Sequence, residues 1–466
     1  MSDRLSPLDA SFLFAEHRTA AMHVGAVMTF APPEDGPFDV DAFVALIGRR
    51  LGLVPRYRQK IREVPGGLGL PVWVDDPDFD LDFHVRRSAL PAPGTEDALR
   101  ELVGRLLSRQ LDRSRPLWEV YVVEGLADGR FAVVTKTHHA MLDGLASMDI
   151  GALLLDLTPH PRETPADDWR PGREPSGTEL ALAAAADALR RTQVALDAAG
   201  RAVTDLRETA ATVSRTVGGV LAAGRGAVGA RPVPALNAAT GEQRRYGTQC
   251  MALADHRLVR KAHGGTVNDV VLAVVTGGLR HWMISRGEPL TAGTAVRALV
   301  PVSVRARAVR RGAGTVGNSV SACLVELPVA EEDPVRRLAI VRAAMEEHKR
   351  GGQATGAAAL IGLVGLAPPV VHGLVARLTS QFSSRLYNVL VTNVPGPSRP
   401  LYAMGARMLD MFPVTPMAGR QAVAVGVTSY DGGMHYGLTV DRDAVPDVDV
   451  LATALSLSLS ELVALS

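Results

Sequence analysis

A run of β-branched and apolar residues, Phe131-Ala-Val-Val-Thr-Lys-Thr137, breaks off at His138-His139-Ala-Met-Leu-Asp143-Gly144, and no other stretch constrains this chain as tightly. The run has the composition of a β-strand. From about Asp143 to Asp156, apolar residues recur at helical spacing. The histidines therefore stand where a strand hands the chain to a helix, which demands a fold mixing sheet and helix with a strand end open to a site. A neutral imidazole in that position can take a proton from a hydroxyl near pH 7. Asp143 can fix a tautomer or brace the turn, and Gly144 permits a backbone approach that a Cβ forbids. The same four residues at the same spacing arise by chance in on the order of one chain per thousand of this length. The stretch is read as catalytic rather than as a loop with a capping aspartate.

Composition narrows the rest. A chain of 466 residues is long for one core and suits two domains. With 47% hydrophobic residues and a mean hydropathy of +0.11, it can bury large cores or enclose an apolar tunnel. A net charge of +1, with arginines scattered among acidic residues, leaves no footprint for nucleic acid. Two cysteines, Cys250 and Cys323, support neither a disulfide framework nor a metal cluster, and fit a reducing cytosol. The first residues lack the apolar run of a signal peptide. Gly351 to Ala376 carries no Asp, Glu, Lys or Arg, but Pro368-Pro369 and His372 interrupt it. A buried or interfacial helix pair is expected there rather than a membrane span. The expected location is cytoplasmic, free or held peripherally at a membrane or lipid inclusion.

The chain divides into residues 1–165, a linker and helical connector over 166–235, and residues 236–466. In the first part, helices are predicted at 38–50 and 99–110. A hairpin, Trp118 to Leu126 with Arg130 to Thr137, turns over Ala127-Asp128-Gly129. Pro161 to Gly177 has linker composition, and Glu179 to about Val228 is helix-compatible, either packed between domains or lying on a lipid surface. In the last part, helices are predicted at 267–280 and 335–349. Strands are predicted at 296–305, 319–327 and 388–394, and a second hairpin turns over Asp431-Gly432-Gly433. Gly312-Ala-Gly-Thr-Val-Gly317 matches GxGxxG, but a strand-like segment follows it where a dinucleotide fingerprint needs a helix, so it is read as a loop. No phosphate loop, HExxH or nucleophile elbow is present. Direct attack by an acceptor hydroxyl deprotonated by His139 is the simplest chemistry.

HHxxxDG resembles the signature of the CoA-dependent acyltransferases that include chloramphenicol acetyltransferase and peptide-synthetase condensation domains. Further stretches resemble one branch, the bacterial wax ester synthase/acyl-CoA:diacylglycerol acyltransferases. They are Leu5-Ser-Pro-Leu-Asp-Ala-Ser-Phe-Leu13, Pro71 to His84, Pro116-Leu117-Trp118-Glu119, and Leu236-Asn237 through Arg244-Arg245. Asn268-Asp269, Val300-Pro-Val-Ser303 and Thr392-Asn-Val-Pro-Gly-Pro397 complete the series. The resemblance implies an α/β (α+β) fold: two chloramphenicol-acetyltransferase-like sandwich domains joined by a helical connector, with the active-site channel between them. It implies an O-acyltransferase that moves a long-chain acyl group from acyl-CoA, a co-substrate and not a cofactor, to diacylglycerol or a long-chain alcohol. His139 is the implied general base and His138 shapes the site. Asp143 is a structural brace, with Arg305 chosen as its partner. Asn268 and Asp269 serve as helix cap or site support, and Trp118 as core or channel wall. No metal is expected. The helix from Val267 and the Gly351–Ala376 stretch either line an acyl tunnel or form ordinary core. Two other readings are a carrier-protein-dependent condensation-type or polyketide-associated acyltransferase, and a non-catalytic lipid-binding protein.

Overall fold

Among the described residues, two six-stranded sheets and one of three strands organise the chain. The computed structural model describes residues 3–34, 36–141, 150–151, 153–165, 167–187, 189–190, 233–291, 293–303, 320–351 and 386–466. In chain order the first strands are β1 (Asp3–Arg4), β2 (His23–Phe30), β3 (Gln59–Arg62), β4 (Val72–Asp75), β5 (Val85–Ala89), β6 (Trp118–Glu124) and β7 (Phe131–His138). There follow β8 (Arg244–Ala252), β9 (Val296–Ser303), β10 (Val320–Leu327) and β11 (Val389–Pro395). The last are β12 (Tyr402–Ala403), β13 (Ala406–Val414), β14 (Val423–Tyr430) and β15 (Gly433–Asp441). Helices α1 (Pro7–Ala15), α2 (Val40–Arg50), α3 (Leu81–His84) and α4 (Glu96–Leu107) precede α5 (Leu253–His263), α6 (Val267–Ser285), α7 (Pro334–Gly351) and α8 (Val448–Ala464).

The first sheet has the order β12-β13-β2-β7-β6-β5, and the second β10-β9-β11-β14-β15-β8. Strands β12 and β13 lie within residues 236–466, yet they join the sheet built by the first part of the chain. Strand β13 pairs antiparallel with β2, Val414 opposite Gly25 and Phe412 opposite Val27. The expected hairpins are present: β6 and β7 pair Trp118 with Thr137, and β14 and β15 pair Val423 with Val440. Their turns place Asp128 at φ 61° and Gly432 at φ 87°, the left-handed region that such tight connections require.

Helix α2 begins at the cap Asp39, which accepts from the Ala42 amide at 2.9 Å, and buries Phe43, Leu46 and Ile47. Helix α4 starts at Glu96, ahead of the predicted Leu99, because Thr95 caps the Ala98 amide. Helix α6 is buried along most of its length and, with α7 and α8, packs on the face of the second sheet that carries Tyr436, Leu438 and Val440. The irregular segment after residue 160 is tied down: Asp167 pairs with Arg58, whose guanidinium lies 4.8 Å from the Trp169 ring centroid. Residues 177–187 are helical, and Leu180 and Ala184 pack on Val64, Val72 and Val74. The helix-compatible region beyond Arg190, the GxGxxG match and nearly all of the Gly351–Ala376 stretch lie outside the described residues. No helix among the described residues is long and apolar enough to cross a membrane.

Strand β13 also joins the two sheets, crossing the face of the second where Gly437 lies under it. A Cβ at Gly437 would stand 2.0 Å from the Pro413 carbonyl oxygen, so only glycine lets the two backbones come this close. Tyr246 on β8 donates to that same carbonyl at 2.9 Å.

Candidate active site

The backbone at the end of β7 is held from both sides. The His138 amide donates to the Leu117 carbonyl at 2.9 Å, and the His139 amide to the Met22 carbonyl at 2.8 Å. The Pro116–Trp118 stretch and the entry to β2 thus fix where the histidines leave the sheet. Trp118 itself faces away from His138, because it pairs with Thr137 and neighbouring strand residues alternate sides. It is fully buried, donates from Nε1 to the Tyr57 carbonyl at 2.8 Å and stacks on His84 at 4.6 Å. Of its two expected roles, core packing is the one observed.

His138 is wholly buried. Its Nδ1 accepts from the Ala140 amide at 3.0 Å, which puts the proton of the neutral ring on Nε2. That nitrogen lies 3.6 Å from Oε2 of Glu16, a residue the sequence did not single out. Glu16 follows α1, and its carboxylate is enclosed. Arg113 donates to Oε2 at 2.8 and 3.2 Å, the Met22 amide donates to Oε1 at 3.2 Å, and His23 lies 3.6 Å away. Burial would raise its pKa, but His138, Arg113 and His23 together hold it down to about 2. It is therefore a fixed negative charge behind the histidines. Its only sequence cue was its position just beyond the Leu5–Leu13 stretch.

His139 stacks on Phe12 of α1, ring centroids 3.9 Å apart. Two separate sequence motifs thereby meet. Burial is the main influence on its imidazole; against an opposing interaction with its own backbone, burial and the neighbouring His138 bring the pKa down to about 4. Nδ1 is enclosed without a hydrogen-bond partner among the described residues. On the face shared with His138, Lys136 is buried 3.6 Å from Glu119, with its pKa lowered mainly by burial.

Asp269 closes a capping box on α6: its Oδ2 accepts from the Thr266 amide at 2.7 Å, while its own amide donates to Thr266 Oγ1 at 3.3 Å. Asn268 instead accepts from Asn393 Nδ2 at 3.1 Å, joining the Asn268-Asp269 and Thr392–Pro397 stretches. Among the described residues, no hydrogen bond links this pair to His138 or His139. Asp143, Gly144 and Arg305 lie outside the described residues.

A family model described as the wax ester synthase/diacylglycerol acyltransferase catalytic domain matches residues 5–271, and one for the WS/DGAT C-terminal domain matches residues 316–463. The chain belongs to the wax ester synthase/diacylglycerol acyltransferase family. It is 36% identical over 472 residues to the probable diacylglycerol O-acyltransferase tgs1 of Mycobacterium tuberculosis, covering 100% of this chain and 96% of that protein. The solved wax ester synthase/diacylglycerol acyltransferase of Marinobacter aquaeolei VT8 superposes with a TM-score of 0.69 at 28% identity, covering 98% of each chain. A trichothecene 15-O-acetyltransferase from Fusarium sporotrichioides shares the fold, with a TM-score of 0.62 at 11% identity over 99% of this chain and 95% of that one. The wax ester synthase/diacylglycerol acyltransferase family assignment makes this protein an acyl-transferring enzyme with the two-domain fold that the sequence implied.

Proposed function

We propose that this enzyme moves a long-chain acyl group from acyl-CoA to the hydroxyl of diacylglycerol or of a long-chain alcohol, with His139 as general base. The observation that carries the reading is the setting of His139: an imidazole at the end of β7, fixed through its amide to the Met22 carbonyl, stacked on Phe12 and kept unprotonated mainly by burial. The acceptor oxygen attacks the thioester carbonyl carbon as its proton passes to the imidazole. A C–O bond forms, the C–S bond breaks, and the proton returns from the imidazole to the CoA thiolate. Ester and CoA leave with atoms balanced.

His138 and Glu16 act behind that step. The Glu16 charge orients the Nε2–H of His138, and His138 holds the turn through its bond from the Ala140 amide. Both cysteines lie on strands of the second sheet, Cys250 on β8 and Cys323 on β10, so neither sits on the strand that carries His139. Labelled palmitoyl-CoA offered with diacylglycerol or hexadecanol should give labelled triacylglycerol or wax ester, with intersecting initial-rate lines in the two substrates. Parallel lines together with a trapped acyl-protein would overturn the direct mechanism. Absence of either ester from folded protein would overturn the substrate assignment.

A further inference from the structure

The crossing of β13 over the second sheet assembles three side chains that acyl transfer does not use. Cys250 on β8 and His435 on β15 are direct cross-strand partners, so both leave the same face of the sheet. Asp410 on β13 comes to that face from the other sheet. A thiol sulfur, an imidazole nitrogen and a carboxylate oxygen then all lie within 4.8 Å of one another. In sequence the three are far apart, and only the strand register brings them together.

The three positions differ in exposure and support. His435 is buried, and its Nε2 lies 3.2 Å from Asp410 Oδ1. Its Nδ1 is enclosed without a hydrogen-bond partner of normal geometry among the described residues, and the ring interacts with Cys250. The second carboxylate oxygen of Asp410 accepts from Thr29 Oγ1 at 2.8 Å, which fixes the orientation of the group. Cys250 is exposed, so one side of the cluster faces solvent. Along β2, Thr29 lies toward the opposite end from His23, which pairs with His138. At about 3.3 Å per residue the cluster is about 20 Å from the catalytic histidines.

The donor set selects a class of ligand. One sulfur, one nitrogen and one oxygen match zinc-like ions, whereas magnesium and calcium take oxygen. Zinc binds nitrogen and oxygen at about 2.0–2.2 Å, so two such donors of a tetrahedral site stand about 3.3 Å apart. The His435–Asp410 separation already has that value. Cys250 supplies the third donor, and its solvent side leaves the fourth place for water. We propose that Cys250, Asp410 and His435 form a site for a zinc-like divalent cation that clips β13 to the second sheet. Because the donors come from both sheets, binding favours the folded, crossed arrangement.

The test uses the full-length protein after chelator treatment, titrated with cobalt(II) and then zinc(II). One equivalent of cobalt should produce a thiolate-to-cobalt absorption band that zinc abolishes, and zinc should raise the melting temperature. Cys250→Ser should remove the band, and Asp410→Asn should weaken binding at least tenfold. Cys250 is exposed, so its variant is expected to fold, and circular dichroism checks this. No thiolate band in the wild-type protein, or an identical titration for folded Cys250→Ser, overturns the proposal. Ester formation is assayed separately, so either outcome leaves the acyl-transfer reading to its own test.

Discussion

Burial lowers the His139 imidazole to a pKa of about 4, so the ring is unprotonated at neutral pH and its acceptor nitrogen is available throughout the physiological range. An ordinary histidine would lose base function near pH 6.5. For this enzyme kcat/KM should stay flat from about pH 8 down to about 5.5 and fall only as pH approaches about 4. A pH–rate profile checks this, and a half-point near 6.5 would contradict it. The same shift has a stability counterpart. Since the unfolded histidine binds its proton first, stability from neutral His139 is complete above about pH 6.5 and is lost as pH falls toward about 4. Glu16 acts lower on the scale: its contribution is present above its ordinary carboxylate range and is lost as pH falls through about 2. Glu16→Gln should lower kcat about 10- to 100-fold through misplacement of the histidine turn, with KM for palmitoyl-CoA little changed. Steady-state kinetics would sink that role if kcat matched the wild type. The motif made His138 and His139 legible in the sequence. Glu16 was not legible, because a carboxylate recruited from another segment leaves no spacing to read.

At the scale of elements, what could be read locally was read well. Strand β7 announced itself through β-branched residues, and the β6–β7 and β14–β15 hairpins through turn chemistry. Strand β2, with Gly25, Met28 and Thr29, and strand β13, with Asp410 and Pro413, went unread because neither shows a clean alternation. Their stability comes from pairing with each other across most of the chain. The segment leaving the histidine turn is anchored similarly. Arg50, at the end of α2, meets both oxygens of Asp156 at 2.8 and 2.6 Å and donates to the Leu153 carbonyl at 3.2 Å, all buried. Replacing Arg50 by Ala leaves a buried carboxylate uncompensated and should cost about 3–5 kcal/mol. Equilibrium denaturation of the variant measures the loss; a change under about 1 kcal/mol would show that the pair is dispensable.

At the scale of the whole molecule, two cores meet because β13 belongs to one sheet and lies against the other. The resemblance implied two domains, but the exchange of a strand between them was not visible in composition or in a linker. It depends on contacts such as Gly437 beneath Pro413 and Tyr246 beside it. Gly437→Ala drives a Cβ into a backbone oxygen and should destabilise by about 1–3 kcal/mol or more, with loss of activity. Gly293→Ala, which would meet nothing within 4 Å, is the matched control and should melt like the wild type. Equal melting of the two variants would contradict the account of the crossing. The central claim concerns His139, and it is tested most directly by giving purified wild-type and His139→Ala protein labelled palmitoyl-CoA with diacylglycerol or hexadecanol. The account predicts ester from the wild type, a loss of about 10²- to 10⁴-fold in the variant and an unchanged melting temperature. Turnover by folded His139→Ala within a few-fold of the wild type would contradict it.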